Sequence, residues 1–230
     1  MSGATLGDVK VYAEDVETLA PGCWLNDAVI AYLFEHFSRQ PQPGVVLLEP
    51  PATFTAAMVG DATALREMWS VSSTPGATPL TAQLLAADIV LMPVSNNDDS
   101  MVAGGGGHWS LLVFRRRAAS CGAPRFEHYD SMEQANAPSA KLIMSACAPL
   151  LFDKAPARLQ LVRMTSPQQE NGFDCGVYAL AVAELLCAAP AAGGAAPSPA
   201  VTDAVRALTP AAVTAKRQSW LELLRSALTN

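Results

Sequence analysis

Two periods run through the apolar positions of this chain, and together they predict its elements. Over residues 25–38, LNDAVIAYLFEHFS, the groups Val29, Ile30, Leu33, Phe34 and Phe37 recur at helical spacing. Trp24 stands just ahead of that helix, and Asn26 or Asp27 suits its first turn. Residues 61–69 and 138–152 predict further helices, and residues 211–228 a last one carrying Trp220, Leu223 and Leu224. Residues 175–188, CGVYALAVAELLCA, are apolar on nearly every side and predict a buried helix. Strands are expected at 9–13, in VVLLEPPATF ending at Pro50-Pro51, and at 88–95, 108–116, 125–131 and 159–164. In RFEHYDS, Phe126, His128 and Asp130 alternate with Glu127 and Tyr129, so the two sets face opposite ways. Residues 71–84 and the glycine-rich stretch NNDDSMVAGGGG read as loops. APAAGGAAPSPA, residues 189–200, reads as a low-complexity, flexible insertion. Helices flanking a mixed central sheet give an α+β fold, expected as a single domain over residues 1–230.

Composition narrows the class. Half of the 230 residues are apolar, enough for a sizeable core. The net charge is −6 and the one basic run, Arg115-Arg116-Arg117, is short, which speaks against binding nucleic acid through phosphates. The cysteines Cys23, Cys121, Cys147, Cys175 and Cys187 are odd in number and irregular in spacing. They give neither a disulfide framework nor a zinc motif. The N-terminus lacks a secretory pattern, and no apolar run reaches the ~18 residues of a membrane span. A reduced intracellular protein follows, cytoplasmic and/or nuclear.

Candidate chemistry centres on QQENGFDCGVYALAVAELL, residues 168–186. A thiol attacks as thiolate, and both a helix N-terminus and a neighbouring imidazolium lower its pKa. Cys175 has the position for the first effect, although a cysteine ahead of an apolar helix is also simply a small buried residue. His36 sits mid-helix and reads as structural. His108 follows four glycines at the start of a strand, open to a cleft. Asp130, near the end of the neighbouring strand, has the place to hold an imidazole in one tautomer. Gln168 and Gln169 lie on the approach to Cys175, where a side-chain amide can donate to an oxyanion. Each of these residues alone also reads as ordinary surface polarity.

Taken together and in order, GHWSLLV, YDS and QQENGFDCGVY resemble the signature of the ubiquitin-like-protein proteases, cysteine peptidases that include the SUMO proteases and the deneddylases. The order His, Asp, Gln, Cys is the reverse of papain's Cys before His. PGCWLND resembles the family's Trp-Leu-Asn-Asp motif, and LTPAAVTAKRQSWLELL its C-terminal segment. The loop before His108 is most similar to the deneddylase branch. The resemblance runs from about residue 10 to 228 and is most specific around Cys175.

That resemblance implies a papain-like cysteine protease fold of the ubiquitin-like protease type, with the nucleophile at the N-terminus of a buried helix. Cys175 would be the nucleophile, His108 its general base and acid, and Asp130 the orienting carboxylate. Gln169 would donate to the oxyanion beside the Cys175 N–H, in preference to Gln168. Trp24 and Trp109 would roof a tunnel wide enough only for a Gly-Gly tail. Asn26 and Asp27 would contact substrate, Asp27 facing a basic group, and Asn96 would help clamp the tail. The implied partner is a ubiquitin-like modifier: the cullin modifier first, SUMO as the alternative. No metal, cofactor, nucleic acid or membrane is implied, and the protein is expected to be a monomer. A module that binds a modifier without cutting it is the reading from another class, and the presence of all four catalytic identities argues against it. Two departures stand out: the stretch around residues 115–125, with Cys121 at its expected tip, and the insertion 189–200.

Overall fold

A computed structural model describes residues 3–39, 43–72, 74–97, 106–118, 123–152, 160–188 and 195–229. An N-terminal hairpin, β1 (Gly3–Leu6) with β2 (Val9–Tyr12), leads into the short helix α1 (Ala13–Val16) and then α2 (Asp27–Ser38). The central sheet has the order β3 (Val45–Leu47), β4 (Ile89–Ser95), β5 (Trp109–Ala118), β6 (Ala123–Tyr129), β7 (Leu161–Arg163). β4, β5 and β6 pair antiparallel, and the outer strands β3 and β7 pair parallel to their neighbours, so the sheet is mixed.

Both faces of this sheet are covered, which is why β4 and β5 read as nearly continuous apolar runs. Leu111 and Val113 of β5 point into one core, with Ile89 and Leu91 of β4. That core is closed by the hairpin, α2, α7 (Cys175–Ala188), α8 (Pro199–Arg206) and α9 (Pro210–Thr229). Leu112 and Phe114 point the other way, with Val90, Met92 and Phe126. There they meet α3 (Pro50–Val59), α4 (Ala62–Trp69), α5 (Leu80–Ala86) and α6 (Ala137–Cys147). The alternation of Cβ directions along a strand produces this division.

The structure corrects several boundaries. Pro50-Pro51 does not close a strand: β3 ends at Leu47, and Pro50 opens α3. A proline at the first helical position gives up only an N–H that has no partner inside the helix. Gly60, at φ 65°, ends α3 in the left-handed conformation that favours glycine. The loop expected over 71–84 is shorter, since Leu80 begins α5. The insertion expected over 189–200 is also shorter, since Ser198 caps α8 and Pro199 and Ala200 belong to that helix. Residues 189–194, and Cys121 on its expected tip, lie outside the described residues.

Candidate active site

α7 carries Cys175 to the edge of the sheet where β5 begins and β6 ends. The helix lies across β5, with Val177, Leu180 and Ala181 fully buried in the first core. Gly176 lets it sit close: a Cβ there would stand 3.1 Å from Leu25 Cβ, tighter than ordinary packing allows. Cys175 is thereby held against the Trp24–Leu25 segment that precedes α2.

His108 and Asp130 arrive from neighbouring strands. His108 immediately precedes β5 and Asp130 immediately follows β6. His108 Nε2 lies 2.6 Å from Asp130 Oδ1, with both side chains buried. Asp130 also accepts from the N–H groups of Met132, at 2.9 Å, and Asn136, at 3.0 Å. Burial, the largest influence on Asp130, pushes its carboxyl up. The hydrogen bonds from His108, Asn136 and Met132 outweigh it and hold the carboxyl below its usual range.

The imidazole behaves oppositely. Burial, again the largest influence, pushes His108 down. The hydrogen bond to Asp130, with the electrostatic influence of Asp130 and Cys175, overcomes it and lifts His108 to about 9, while the buried Nδ1, the ring nitrogen that Asp130 does not bind, makes no hydrogen bond. Cys175 and His108 line the same cleft, with the Nδ1 edge of the ring left open by Asp130. An imidazolium at neutral pH is the partner that stabilises a thiolate.

The two glutamines separate by their partners. Gln168 Nε2 donates to the carbonyls of Asp130 and Ser166, and its Oε1 accepts from the Glu133 N–H. Both of its amide hydrogens are thus used on backbone. Gln169 Nε2 donates to the Asn171 carbonyl at 2.7 Å, and its Oε1 accepts from Ser131 Oγ at 2.8 Å. One amide hydrogen of Gln169 remains beyond these contacts.

A cleft of about 400 Å³ runs past Cys175 and His108. Trp24, 55% exposed, stands over Gly107, and the Trp109 indole N–H donates to the Leu25 carbonyl at 3.0 Å. Gly106, at φ +89°, allows the loop to turn into this wall; a Cβ there would meet the Asn97 N at 2.8 Å. Asp27 lines the cleft with an exposed carboxylate. Asn26 lines it too, but its side chain caps α2 through Val29 N–H and donates to Asp15 Oδ1. Asn96 Oδ1 accepts from the N–H groups of Gly107 and His108, at 2.8 and 3.0 Å, and so braces the histidine loop. The opposite wall comes from Pro50, Pro51 and Phe54 of α3, a helix the sequence pattern did not reveal.

The other histidines lie elsewhere. His36 is exposed on α2, beside Phe37. His128 is buried between Ser110 Oγ and Gln134 Oε1, and burial above all pushes its pKa down. Among the described residues, no cluster of three or more His, Cys, Asp or Glu could hold a metal, and no helix is long and apolar enough to cross a membrane.

Three supporting residues escaped the sequence reading. Asn136, fully buried, donates to the carbonyls of Val94 and His108 while its N–H serves Asp130. Its only sequence signal is its place just ahead of the Ala137-Pro138 helix start. Ser131 directly follows Asp130 within YDS. Arg217 of α9 reaches back to the cysteine loop, pairing with Asp174 at 2.9 Å. It also donates to the carbonyls of Phe173, Thr18 and Ala20. No local pattern around AKRQSW announces a contact so distant in sequence.

The chain is similar to several known proteins. The model of the Ulp1 protease family, C-terminal catalytic domain, matches residues 70–220. The probable sentrin-specific protease 8 of Dictyostelium discoideum is 31% identical over 189 residues, 78% of this chain and 72% of its own. The NEDD8-specific protease 1 of Arabidopsis thaliana is 30% identical over 188 residues, 81% of this chain and 76% of its own. The sentrin-specific protease 8 of Mus musculus is 30% identical over 229 residues, 94% and 89% of the two chains. Among solved structures, the C-terminal Ulp1 protease domain in complex with Smt3, the yeast ortholog of SUMO, aligns with a TM-score of 0.66 at 18% identity. It covers 99% of this chain and 90% of that one, a likeness of fold.

Proposed function

The chain belongs to the Ulp1 protease family and is a cysteine protease, and on that premise we propose that it cleaves after the C-terminal Gly-Gly of a ubiquitin-like modifier, with NEDD8 as the preferred one. The observation that carries the proposal is the Cys175 thiol at the head of α7, lining the same cleft as an imidazole that Asp130 binds through Nε2 at 2.6 Å and whose buried Nδ1 has no hydrogen-bond partner.

Each residue then has a role. The Cys175 thiolate attacks the carbonyl carbon of the terminal glycine. The oxyanion is met by the uncommitted hydrogen of the Gln169 amide and by the Cys175 N–H, one of the first-turn donors that have no partner inside the helix. Gln168 is the poorer choice because both of its amide hydrogens bind backbone. The C–N bond breaks as the His108 imidazolium gives its proton to the leaving amine. A thioester to Cys175 remains. Neutral His108 then takes a proton from water, which attacks the thioester and frees the modifier as a carboxylate. Trp24 and Trp109 leave space for residues without side chains. Asp27 offers its carboxylate to a basic group on the folded part of the modifier, and Asn96 supports the tail indirectly, through the loop of Gly107 and His108.

The preference for NEDD8 is supported by relatives named as NEDD8-specific proteases in organisms as distant as Arabidopsis thaliana and Schizosaccharomyces pombe. Matched aminocoumarin amides of NEDD8, SUMO and ubiquitin test it. NEDD8 is expected to give the highest kcat/KM. Faster turnover of SUMO overturns the preference, and binding without turnover of any of the three overturns the catalytic reading.

A further inference from the structure

We propose that Ser131 is a positioning residue that sets the orientation of the Gln169 amide, so that its free N–H faces the developing oxyanion. The proposal rests on the reading of Gln169 as an oxyanion donor.

A glutamine amide has two orientations of nearly the same shape, and only one points nitrogen where oxygen charge will grow. Two contacts choose between them here. Ser131 Oγ donates to Gln169 Oε1 at 2.8 Å, and Gln169 Nε2 donates to the Asn171 carbonyl at 2.7 Å. The flipped amide would set Oε1 against the Asn171 carbonyl, acceptor facing acceptor. It would also leave the Ser131 hydroxyl without its acceptor. The backbone adds a further tie, because the Gln169 N–H donates to the Ser131 carbonyl at 2.9 Å. Ser131 is buried, so its hydroxyl has no ready exchange with water.

The surrounding turn holds Ser131 in place. It runs from Asp130 to Asn136 and carries Glu133 at φ 41° and Gln134 at φ 69°, two non-glycine residues in the left-handed region. Such a conformation persists only where neighbours enforce it. Gln168 binds the Glu133 N–H, His128 meets the Gln134 side chain, and Asp130 accepts from Asn136. One turn thus serves both halves of the reaction. Asp130 at its start orients His108, and Ser131 beside it orients Gln169.

The test uses Ser131→Ala, Gln169→Ala and the double variant, each assayed on NEDD8 aminocoumarin amide. Alkylation of Cys175 by iodoacetamide runs alongside, since that displacement forms no tetrahedral oxyanion. For Ser131→Ala the expected result is a fall in kcat of about tenfold with KM unchanged. This is less than the roughly 10²–10³ expected for losing an oxyanion donor outright. The alkylation rate stays at the wild-type value, and in the Gln169→Ala background the serine substitution has no further effect. Wild-type kcat in Ser131→Ala overturns the proposal if Gln169→Ala is impaired. So does an equal loss in both backgrounds, or a parallel fall in alkylation, which would place Ser131's role in the His108–Asp130 pair or in the fold. If Gln169→Ala itself keeps its kcat, the reading of Gln169 fails first and the role of Ser131 falls with it.

Discussion

The two ends of α7 carry the same residue in opposite circumstances. Cys175 opens the helix and Cys187 lies near its close, and each is 3% exposed. Exposure therefore does not separate them; surroundings do. Cys175 lines the cleft beside an imidazole lifted to about 9, at the end of the helix where the backbone dipoles favour negative charge. Cys187 is sealed in the first core, where burial, assisted by the charge of Glu184, pushes its thiol up to about 12. Cys147, buried at the end of α6, shows the same effect from burial alone and is also pushed up to about 12. Burial alone raises a thiol, and Cys175 differs from the other two in having a histidine and a helix start beside it, the surroundings on which its proposed role as nucleophile rests.

Removing one thiol at a time breaks the comparison most sharply. Cys175→Ala should lower turnover of the modifier amide by a factor on the order of 10⁶, as for nucleophiles of other proteases. Next comes the carboxylate. Asp130→Asn should cost roughly 10⁴ in kcat, by analogy with other triads. It should also move a pH limb. With a folded-state pKa of about 9, above the unfolded ~6.5, His108 keeps its proton through neutrality. The stabilisation from its pairing is complete below about 6.5 and is lost as pH rises through 9. Activity that needs the imidazolium as acid should decline on the same alkaline side, and in Asp130→Asn that limb should shift toward ~6.5. A limb that stays in place would detach His108 from Asp130.

Arg217 tests how the cysteine end of the helix is anchored. Arg217→Ala leaves the buried Asp174 carboxylate without its cation and should lower stability by about 3–5 kcal/mol in urea denaturation. Adding Asp174→Asn should recover part of that loss. The smallest effect belongs to the other end. Cys187→Ala should cost about 1 kcal/mol of stability through lost packing and leave kcat/KM near the wild-type value.

The sequence made one layer of this molecule plain and concealed another. Helix α2 announces itself by its period, β6 by its alternation, and α7, β4 and β5 by the length of their apolar runs. α3 did not, because Pro50-Pro51 signals a stop and a start equally well, and its wall of the cleft went unseen. α8 was hidden because it spans only eight residues and begins inside an alanine- and proline-rich run, although Val201 and Val205 are buried on one face of it. Among site residues, those proposed to perform chemistry fall in short motifs, while those that hold them fall anywhere. Asn136, Ser131 and Arg217 act through backbone carbonyls, an amide and a carboxylate that only folding brings near. Asn26 and Asn96 point the same way: both line or adjoin the cleft, yet each commits its side chain to the backbone of a neighbouring loop or helix.

The most direct measurement is covalent capture. NEDD8 bearing a propargylamide in place of its last residue should react once with the folded protein, and peptide mapping should place the adduct on Cys175 alone, with Cys23, Cys121, Cys147 and Cys187 unmodified. An adduct on Cys23, whose neighbour Trp24 lines the same cleft, or full occupancy in the Cys175→Ala variant, would contradict the assignment.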